Sequence, residues 1–220
     1  MDCRKYLNPI KADKIRIGPR CDGGYVVAKK YLSPYLYSYG IGNTISFEEN
    51  YNYLVPNCNL KLFDGTARHM NTIIKNNNWT HIEKNVYTAN DLDIIESNVF
   101  VQMDIEGAEL EIFHTMEKKT FQKIQQLCIE VHLGPDVKPT RAVHFFKKLN
   151  KYFYLVHIHG NNYSKNRKSF GLPIALELTY VNKLQWVDSI ILEDKQCPVS
   201  GLDFPNTQTA PELILDWWVT

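Results

Sequence analysis

The sequence has no excess of charge of either sign. Lys and Arg number 25 against 24 for Asp and Glu, which gives a net charge of +1. The basic clusters, Lys29-Lys30, Lys147-Lys148 and the four residues 165–168, are short enough to be solvated faces or loops. A nucleic-acid backbone or an anionic membrane surface is held by a stronger basic field. We therefore expect a small partner, and neither nucleic acid nor a membrane surface.

Long apolar runs and paired cysteines are also missing. No stretch approaches the length of a membrane-spanning helix, and the segment 1–5 is polar, unlike a secretory signal. The five cysteines include no Cys-x-x-Cys pair. Cys128 falls within an apolar strand pattern, which is typical of a reduced core thiol. These absences predict a cytoplasmic protein with no membrane span.

The composition suits one hydrophobic core. Hydrophobic residues make up 44% of the 220 residues and charged residues 22%, which is ordinary for a single α/β domain. We find no internal repeat. The segment 196–211 holds three prolines and predicts an irregular stretch. We expect one domain over residues 1–220.

Short apolar runs alternate with helical patterns along the chain. Four segments have helical spacing, 47–54, 68–74, 110–116 and 141–149, with Thr140 and a Ser46/Glu49 capping box as predicted helix starts. Seven runs are candidate strands: 36–41, 60–63, 79–82, 99–103, 127–133, 152–158 and 175–181. This alternation predicts an α/β fold with a mostly parallel sheet. A polar loop joins the last two strands, so they could pair antiparallel.

A group of acidic residues follows the fourth of these strands. Asp104 ends a fully apolar run, Glu106 comes two residues later, and Gly107 lets the chain turn into a helix that carries Glu109. An isolated Asp at this position would be a helix cap as often as a site residue. Three acids within six positions favour a site, because ligands bind at the carboxyl ends of strands in open α/β sheets.

Two earlier strand ends could hold a nucleoside. Gly40 and Gly42 follow the first strand and allow the backbone to approach a ligand closely. A dinucleotide fingerprint would place a third glycine where Ile45 stands, which disfavours a pyrophosphate cradle. Asp64 ends the second strand, where it could accept hydrogen bonds from a ribose diol. Glu48 could contact an amino group of the ligand or simply favour the helix dipole.

The later strands add further titratable residues at the same predicted edge of the sheet. Alternation places Glu130 and His132 on one face of their strand, and His157 and His159 on one face of theirs. A histidine in a strand is more often structural than catalytic. The convergence with Asp104 favours a site.

Four segments together resemble the FkbM-like family of S-adenosylmethionine-dependent O-methyltransferases, over roughly residues 16–182. They are Arg20-Cys-Asp-Gly-Gly-Tyr25, Tyr37-Ser-Tyr-Gly-Ile-Gly-Asn-Thr-Ile-Ser-Phe-Glu48, Phe63-Asp64 and Met103-Asp-Ile-Glu-Gly-Ala-Glu109. The Asp-Ile-Glu-Gly-Ala-Glu segment is the most distinctive of them. The resemblance implies a Rossmann-like class I methyltransferase fold, with a seven-stranded, mostly parallel sheet, an antiparallel last strand and helices on both faces.

The resemblance also implies roles for individual residues. Gly40 and Gly42 would face the amino acid end of the cofactor, Asp64 would hold its ribose, and Asp104 would lie beside the reacting methyl group. The segment Asp22-Gly23-Gly24 would fold over the cofactor pocket, although a plain glycine turn before a short strand accounts for it equally well on sequence alone.

Two mechanisms for methyl transfer to a hydroxyl remain open. A general base, His132, His159 or Asp104, could take the proton of the acceptor. Alternatively, a divalent cation such as Mg or Mn, held by Asp104, Glu130, His132 and His159, could acidify the hydroxyl. We favour the cation slightly.

Relatives in the family that the chain resembles methylate hydroxyl groups of sugars and of polyketide-type natural products. We expect a sugar hydroxyl of a glycan as the acceptor, for example on a deoxyhexose such as rhamnose. Nothing in the sequence identifies the acceptor atom, so N- or C-methylation also stays open. The chain also resembles methyltransferase modules that are fused behind glycosyltransferases in large algal DNA viruses, which would make it part of a longer multidomain chain. The rival predictions are a nicotinamide-dependent dehydrogenase, disfavoured by Ile45 and the acidic cluster, and a non-catalytic module that binds a glycan or a protein.

Overall fold

A seven-stranded sheet forms the centre of the molecule. The structure is a computed structural model that describes residues 2–67, 74, 76–164 and 168–219. The sheet strands are β3 (Tyr35–Tyr39), β4 (Asn59–Phe63), β5 (Trp79–Ile82), β6 (Val99–Met103), β7 (Ile124–His132), β8 (Phe153–Gly160) and β11 (Ala175–Asn182). Their spatial order is β5-β4-β3-β6-β7-β11-β8. The seven predicted strands are therefore confirmed, with bounds shifted by a few residues.

The sheet is mostly parallel. Strands β5, β4, β3, β6 and β7 pair with their neighbours in parallel, whereas β11 pairs antiparallel with both β7 and β8. The predicted antiparallel pairing of the last two strands is confirmed. Strand β11 lies between β7 and β8. The end of β8 is therefore one strand further from β6 than it would be if β8 paired directly with β7.

Helices cover both faces of the sheet. Successive residues of β3 and β6 point to opposite faces and nearly all of them are buried, so both faces need cover. Leu36 and Phe100 point to the face covered by α1 (Ser46–Leu54), and Tyr37 and Val101 point to the opposite face. That second face is covered by α2 (Glu109–Thr115), α3 (Lys118–Lys123) and α4 (Pro139–Tyr152). This architecture is the predicted α/β fold, with a seven-stranded, mostly parallel sheet and helices on both faces.

The predicted helix starts differ in detail. Ser46 is the first residue of α1 and Ile45 is its cap, with no side-chain capping bond, so the capping box with Glu49 does not form. Helix α4 begins at Pro139, one residue before Thr140; proline suits this position because the first helical N–H has no partner within the helix. Within the predicted helix 68–74, residues 68–73 lie outside the described part of the chain, as do residues 165–167 of one basic cluster.

Two short hairpins and a tail accompany the sheet. Strand β1 (Lys14–Ile17) pairs antiparallel with β2 (Tyr25–Ala28), and β9 (Lys168–Ser169) pairs with β10 (Leu172–Pro173). The β1–β2 hairpin is fixed to the sheet by Gln126, whose side chain accepts the Ala28 N–H at 2.7 Å. The segment after β11 is largely irregular, as predicted, and its Cys197 and Leu215 form an isolated antiparallel bridge.

The five cysteines are free thiols, and all but Cys21 are buried. Among the described residues, no helix is long and apolar enough to cross a membrane.

Candidate active site

A cleft of about 480 Å³ opens at the carboxyl ends of β3, β4 and β6. The loop before β2 closes one side of it. Its lining includes most residues that the sequence predicts for a cofactor: Asp22, Gly23, Gly40, Gly42, Glu48, Asp64 and Asp104, together with Tyr25, Gln102 and Glu106. Gly24 is not part of this lining.

The two glycines after β3 do different things. Gly40 has φ +80°, and a Cβ atom there would lie 1.7 Å from the main-chain oxygen of Asp104. Glycine is therefore required for β3 and β6 to end side by side. Gly42 has φ +57°, and within the described chain no atom beyond its sequence neighbours lies within 4 Å of the corresponding Cβ position. Gly42 thus leaves open space on the cleft wall.

Asp64 ties the end of β4 to the end of β3. Its Oδ2 accepts the Gly42 N–H at 2.9 Å, and its Oδ1 accepts the N–H groups of Thr66 at 2.6 Å and Ala67 at 3.1 Å. Burial alone would raise the pKa of Asp64, but the hydrogen bonds from Thr66, Gly42 and Ala67 lower it below its usual value. The residue therefore presents an anionic carboxylate to the cleft.

Glu48 is a buried carboxyl group on the cleft wall. It lies in the first turn of α1, only 3% exposed, and its Oε1 is 2.5 Å from the Ser38 hydroxyl. Burial raises the pKa of Glu48 to about 7. No ion pair within the described residues neutralises it. A cationic group in the cleft would therefore stabilise its charged form.

Asp104 stands where β6 turns into α2. Glu106 and Gly107 reverse the chain with φ values of +56° and +111°. The Tyr25 hydroxyl donates to Oδ2 of Asp104 at 3.3 Å, whereas Oδ1 is buried and accepts no hydrogen bond from the described residues. Burial raises the pKa of Asp104 to about 7, with a smaller upward contribution from Glu106 and an opposing one from His132.

A second pocket of about 300 Å³ adjoins the cleft. It shares Asp22, Asp104 and Glu106 with the cleft, and extends over the ends of β7 and β8 to Glu130, His132, Gly134, Asn161, Tyr163, Ser164, Ile174 and Ala175. Asp104 and Glu106 therefore stand at the border of two compartments. We name the second compartment the acceptor pocket, because the family resemblance implies that the reacting methyl group lies beside Asp104.

A third pocket, also about 300 Å³, continues the cleft in the other direction, toward the segment after β5. It shares Gly40, Asp64, Thr66, Asp104 and Glu106 with the cleft. It adds Phe63, Lys84, Asn85, Val86, Tyr87 and Ile105. The cleft can therefore take an elongated ligand that lies across the ends of β3, β4 and β6.

His132 projects into the acceptor pocket from the end of β7. Its Nδ1 is 3.1 Å from Oε1 of Glu109, and its Nε2 is 3.4 Å from Glu106 and 3.7 Å from Glu130. Burial works against a protonated ring, but the hydrogen bond and charge of Glu109, with the charge of Asp104, raise the pKa of His132 above its ordinary value. Glu109 belongs to the acidic motif, yet sequence reasoning gave it no separate role.

Glu130 lies beside His132 on the same strand. It is 4% exposed, and its Oε1 accepts a hydrogen bond from the Asn161 amide at 2.9 Å. Burial, with the charges of Asp104 and Glu177, raises the pKa of Glu130 well above its usual value. A cation beside Glu130 would favour its charged form.

His159 lies apart from this group. Register places Glu177 of β11 directly between Glu130 of β7 and His159 of β8. The His159 ring contacts Glu177 through Nδ1 at 2.8 Å and Glu212 through Nε2 at 3.4 Å. The neighbouring His157 pairs with Asp203 at 2.8 Å. Both rings are buried, and His159 has no free nitrogen to offer the acceptor pocket.

Within the described part of the chain, two groups of side chains have the spacing of a metal site. Oxygen and nitrogen atoms of Asp104, Glu106 and His132 lie within 4.8 Å of one another, and so do oxygens of Asp22, Glu130 and Glu177. Two of the four predicted ligands, Asp104 and His132, thus come together. Glu130 belongs to the second group and His159 to neither.

The loop before β2 is built around Arg16. The guanidinium donates to the carbonyls of Pro19 at 2.8 Å and Cys21 at 2.9 Å. A Cβ at Gly24 would lie 2.0 Å from the Pro19 oxygen, so Gly24 packs the loop rather than lining the cleft. The Asn206 amide, in the irregular segment after β11, donates to Asp22 at 3.0 Å. This contact fixes the loop on the side that faces the acceptor pocket.

The methyltransferase FkbM domain matches residues 12–164. Among solved structures, precorrin-6y C5,15-methyltransferase from Geobacter metallireducens GS-15 is 17% identical with a TM-score of 0.41, over 70% of this chain and 86% of that chain. A structure of a fibrillarin/Nop5p complex is 10% identical with a TM-score of 0.44, over 67% and 72% respectively. No curated protein matches the chain.

Proposed function

The chain belongs to the methyltransferase FkbM domain family, and on that premise we propose that it transfers a methyl group from S-adenosylmethionine to a hydroxyl group of a sugar. The observation that carries the proposal is the border formed by Asp104 and Glu106, which line both the cleft and the acceptor pocket. A donor in the first compartment and an acceptor in the second would meet there.

The cleft suits the chemistry of the cofactor. S-adenosylmethionine supplies, when bound, an electrophilic methyl group on a sulfonium that departs as a neutral thioether. The buried carboxyl group of Glu48 and the Oδ1 of Asp104, which accepts no hydrogen bond from the described residues, suit its two cationic groups, the ammonium and the sulfonium. Asp64 has an anionic oxygen for the ribose hydroxyls, and Gly42 leaves room on the wall. Asp22 and Gly23 would cover the ligand from the loop before β2.

The acceptor pocket suits a neutral polyol. Four carboxyl groups, those of Asp22, Asp104, Glu106 and Glu130, line it, and no Lys or Arg stands among its described lining residues. Carboxylates and the Asn161 amide can hold several hydroxyl groups at once, and Tyr163 offers an exposed ring for stacking. These features support a sugar, such as a deoxyhexose on a glycan, over a phosphorylated or acidic acceptor.

His132 is the residue best placed to take the proton of the acceptor hydroxyl. Its Nε2 faces the acceptor pocket, next to the compartment border. Asp104 and Glu106 then orient the acceptor and the donor. We assign His159 a supporting role, because both of its nitrogens are engaged outside the pocket.

A divalent cation is the second candidate arrangement. Asp104, Glu106 and His132 form an oxygen and imidazole set that suits Mg or Mn. These residues would hold the cation, with Glu130 next to them, and the cation would lower the pKa of the acceptor hydroxyl. Activity that disappears in excess chelator and returns with Mn would support this arrangement, and full activity in chelator would leave His132 as the base.

The proposal is tested in two stages. Calorimetry first measures binding of S-adenosylmethionine and S-adenosylhomocysteine. The protein is then incubated with S-adenosylmethionine and a panel of methyl glycosides, including a rhamnoside and a matched uronic acid, and methylated sugars are identified by mass spectrometry. We expect methylation of a neutral sugar only. Cofactor binding without any sugar product would reject the acceptor class, and absence of binding would reject the cofactor assignment.

A further inference from the structure

Glu109 is the most completely buried carboxyl group near the site. It is the first residue of α2, with no exposed surface. Its Oε1 accepts the N–H of Gly107 at 3.1 Å and that of Ile105 at 3.4 Å. Burying a carboxyl group is costly, and the two main-chain N–H groups would be satisfied equally well by a glutamine.

The remaining partner of Glu109 is His132. Nδ1 of the ring lies 3.1 Å from the same Oε1 that accepts the two main-chain N–H groups. Because Oε1 of Glu109 already accepts hydrogen bonds from two N–H groups, it is the acceptor in its contact with Nδ1 as well. In the neutral ring the proton must therefore sit on Nδ1, which leaves a lone pair on Nε2. Nε2 is the nitrogen that faces Glu106, Glu130 and the acceptor pocket.

We infer that Glu109 is a positioning residue that holds His132 in the Nδ1–H form, with the Nε2 lone pair directed at the acceptor hydroxyl. The inference rests on the proposed function. In the transfer step, the acceptor oxygen forms its bond to the methyl carbon while the carbon–sulfur bond of the donor breaks. The hydroxyl proton passes to Nε2, and the imidazolium that results keeps its Nδ1–H bond to Glu109. A cation in the pocket would use the same lone pair.

The inference predicts that Glu109 acts on the reaction only through His132. Glu109→Gln should lower kcat by about 100-fold, a typical contribution of acid–base catalysis, while binding of S-adenosylhomocysteine changes less than about twofold. In the His132→Ala background the same substitution should have almost no further effect on kcat. Glu111→Gln is the matched control, because Glu111 is on the same helix but pairs with Arg141 at the surface. Additive losses in the double variant would overturn the inference.

A measurement without turnover separates this inference from the proposed function. Nitrogen-15 NMR of the cofactor-bound protein reports which nitrogen of His132 carries the proton in the neutral ring. We expect Nδ1 protonated and Nε2 unprotonated in the wild type. Glu109→Gln should keep this form, because its amide oxygen can accept the same bonds, whereas Glu109→Ala should give a mixture of both forms. An Nε2–H ring in the wild type would overturn the inference even if the protein methylates a sugar. An Nδ1–H ring in a protein that methylates no sugar would reject only the acceptor.

Discussion

Asp64 accepts the Gly42 N–H through one carboxylate oxygen while the other caps the turn at Thr66 and Ala67. A single side chain therefore fixes the ends of two neighbouring strands and still faces the cleft. Asparagine keeps the shape of this side chain, but it removes the charge and leaves one acceptor oxygen for these main-chain N–H groups.

Asp64→Asn should bind S-adenosylhomocysteine about tenfold to hundredfold more weakly, because hydrogen bonds to a charged group contribute about 1.5–3 kcal/mol. Isothermal calorimetry measures the change. The control is Asp194→Asn, which removes an exposed carboxylate that pairs with Lys11 and does not line the cleft. Equal affinity in wild type and Asp64→Asn would show that Asp64 only shapes the turn.

Gly42→Ala should weaken cofactor binding more than it weakens the fold. The positive φ of Gly42 makes alanine cost about 1 kcal/mol of folding free energy. The new methyl group would point into open space at the cleft. Gly201→Ala is the matched control, because Gly201 also has a positive φ and open space around its Cβ position but does not line the cleft.

Urea unfolding and calorimetry on both variants give the comparison. We expect similar losses of stability and a loss of S-adenosylhomocysteine affinity in Gly42→Ala alone. Gly40→Ala should fail to fold stably, since its Cβ would overlap the Asp104 carbonyl. A well-folded Gly40→Ala protein would contradict the close approach of β3 and β6.

Glu48→Gln should stabilise the cofactor-free protein above neutral pH. Burial raises the pKa of Glu48 from 4.5 to about 7, so the folded state holds its proton more tightly than the unfolded state. The contribution of Glu48 to the stability of the wild type is therefore greatest below about pH 4.5 and falls as pH rises to about 7. A shift of this size corresponds to about 3 kcal/mol.

The test is urea unfolding of wild type and Glu48→Gln between about pH 5 and pH 8. The difference in unfolding free energy should grow with pH in favour of the variant, whereas Glu49→Gln, at an exposed neighbouring position, should show no such trend. S-adenosylmethionine should bind the wild type more tightly as pH rises through about 7, because its ammonium favours the ionised Glu48. A pH-independent difference in stability would contradict the burial of this carboxyl group.

The strands and the residues that line the cleft could be predicted from the sequence because their signals are local. Apolar runs mark β6 and β7, and Gly40, Asp64 and Asp104 each follow directly on a strand. Strand ends meet at one edge of a parallel sheet, so these residues had to converge.

The composition of the acceptor pocket depends on the order of strands in the sheet, which the alternation of apolar and polar residues does not encode. The insertion of β11 between β7 and β8 moves His159 one strand further from Asp104 and puts Glu177 in the gap. The contact between Glu109 and His132 likewise depends on the register of β6 against β7, because Glu109 in sequence is one more polar residue at a helix start.

His159→Gln should therefore lower stability and leave the chemistry almost unchanged. Burial opposes protonation of the ring, but Glu177 and Glu212 raise the pKa of His159 from 6.5 to about 10. The ion pair accordingly contributes its full stability below about pH 6.5 and loses it as pH rises through about 10. Breaking a buried pair of this kind costs about 3 kcal/mol. Urea unfolding should show that loss at about pH 6 and a clearly smaller one at about pH 9. A large fall in kcat with unchanged stability would instead place His159 among the reacting groups.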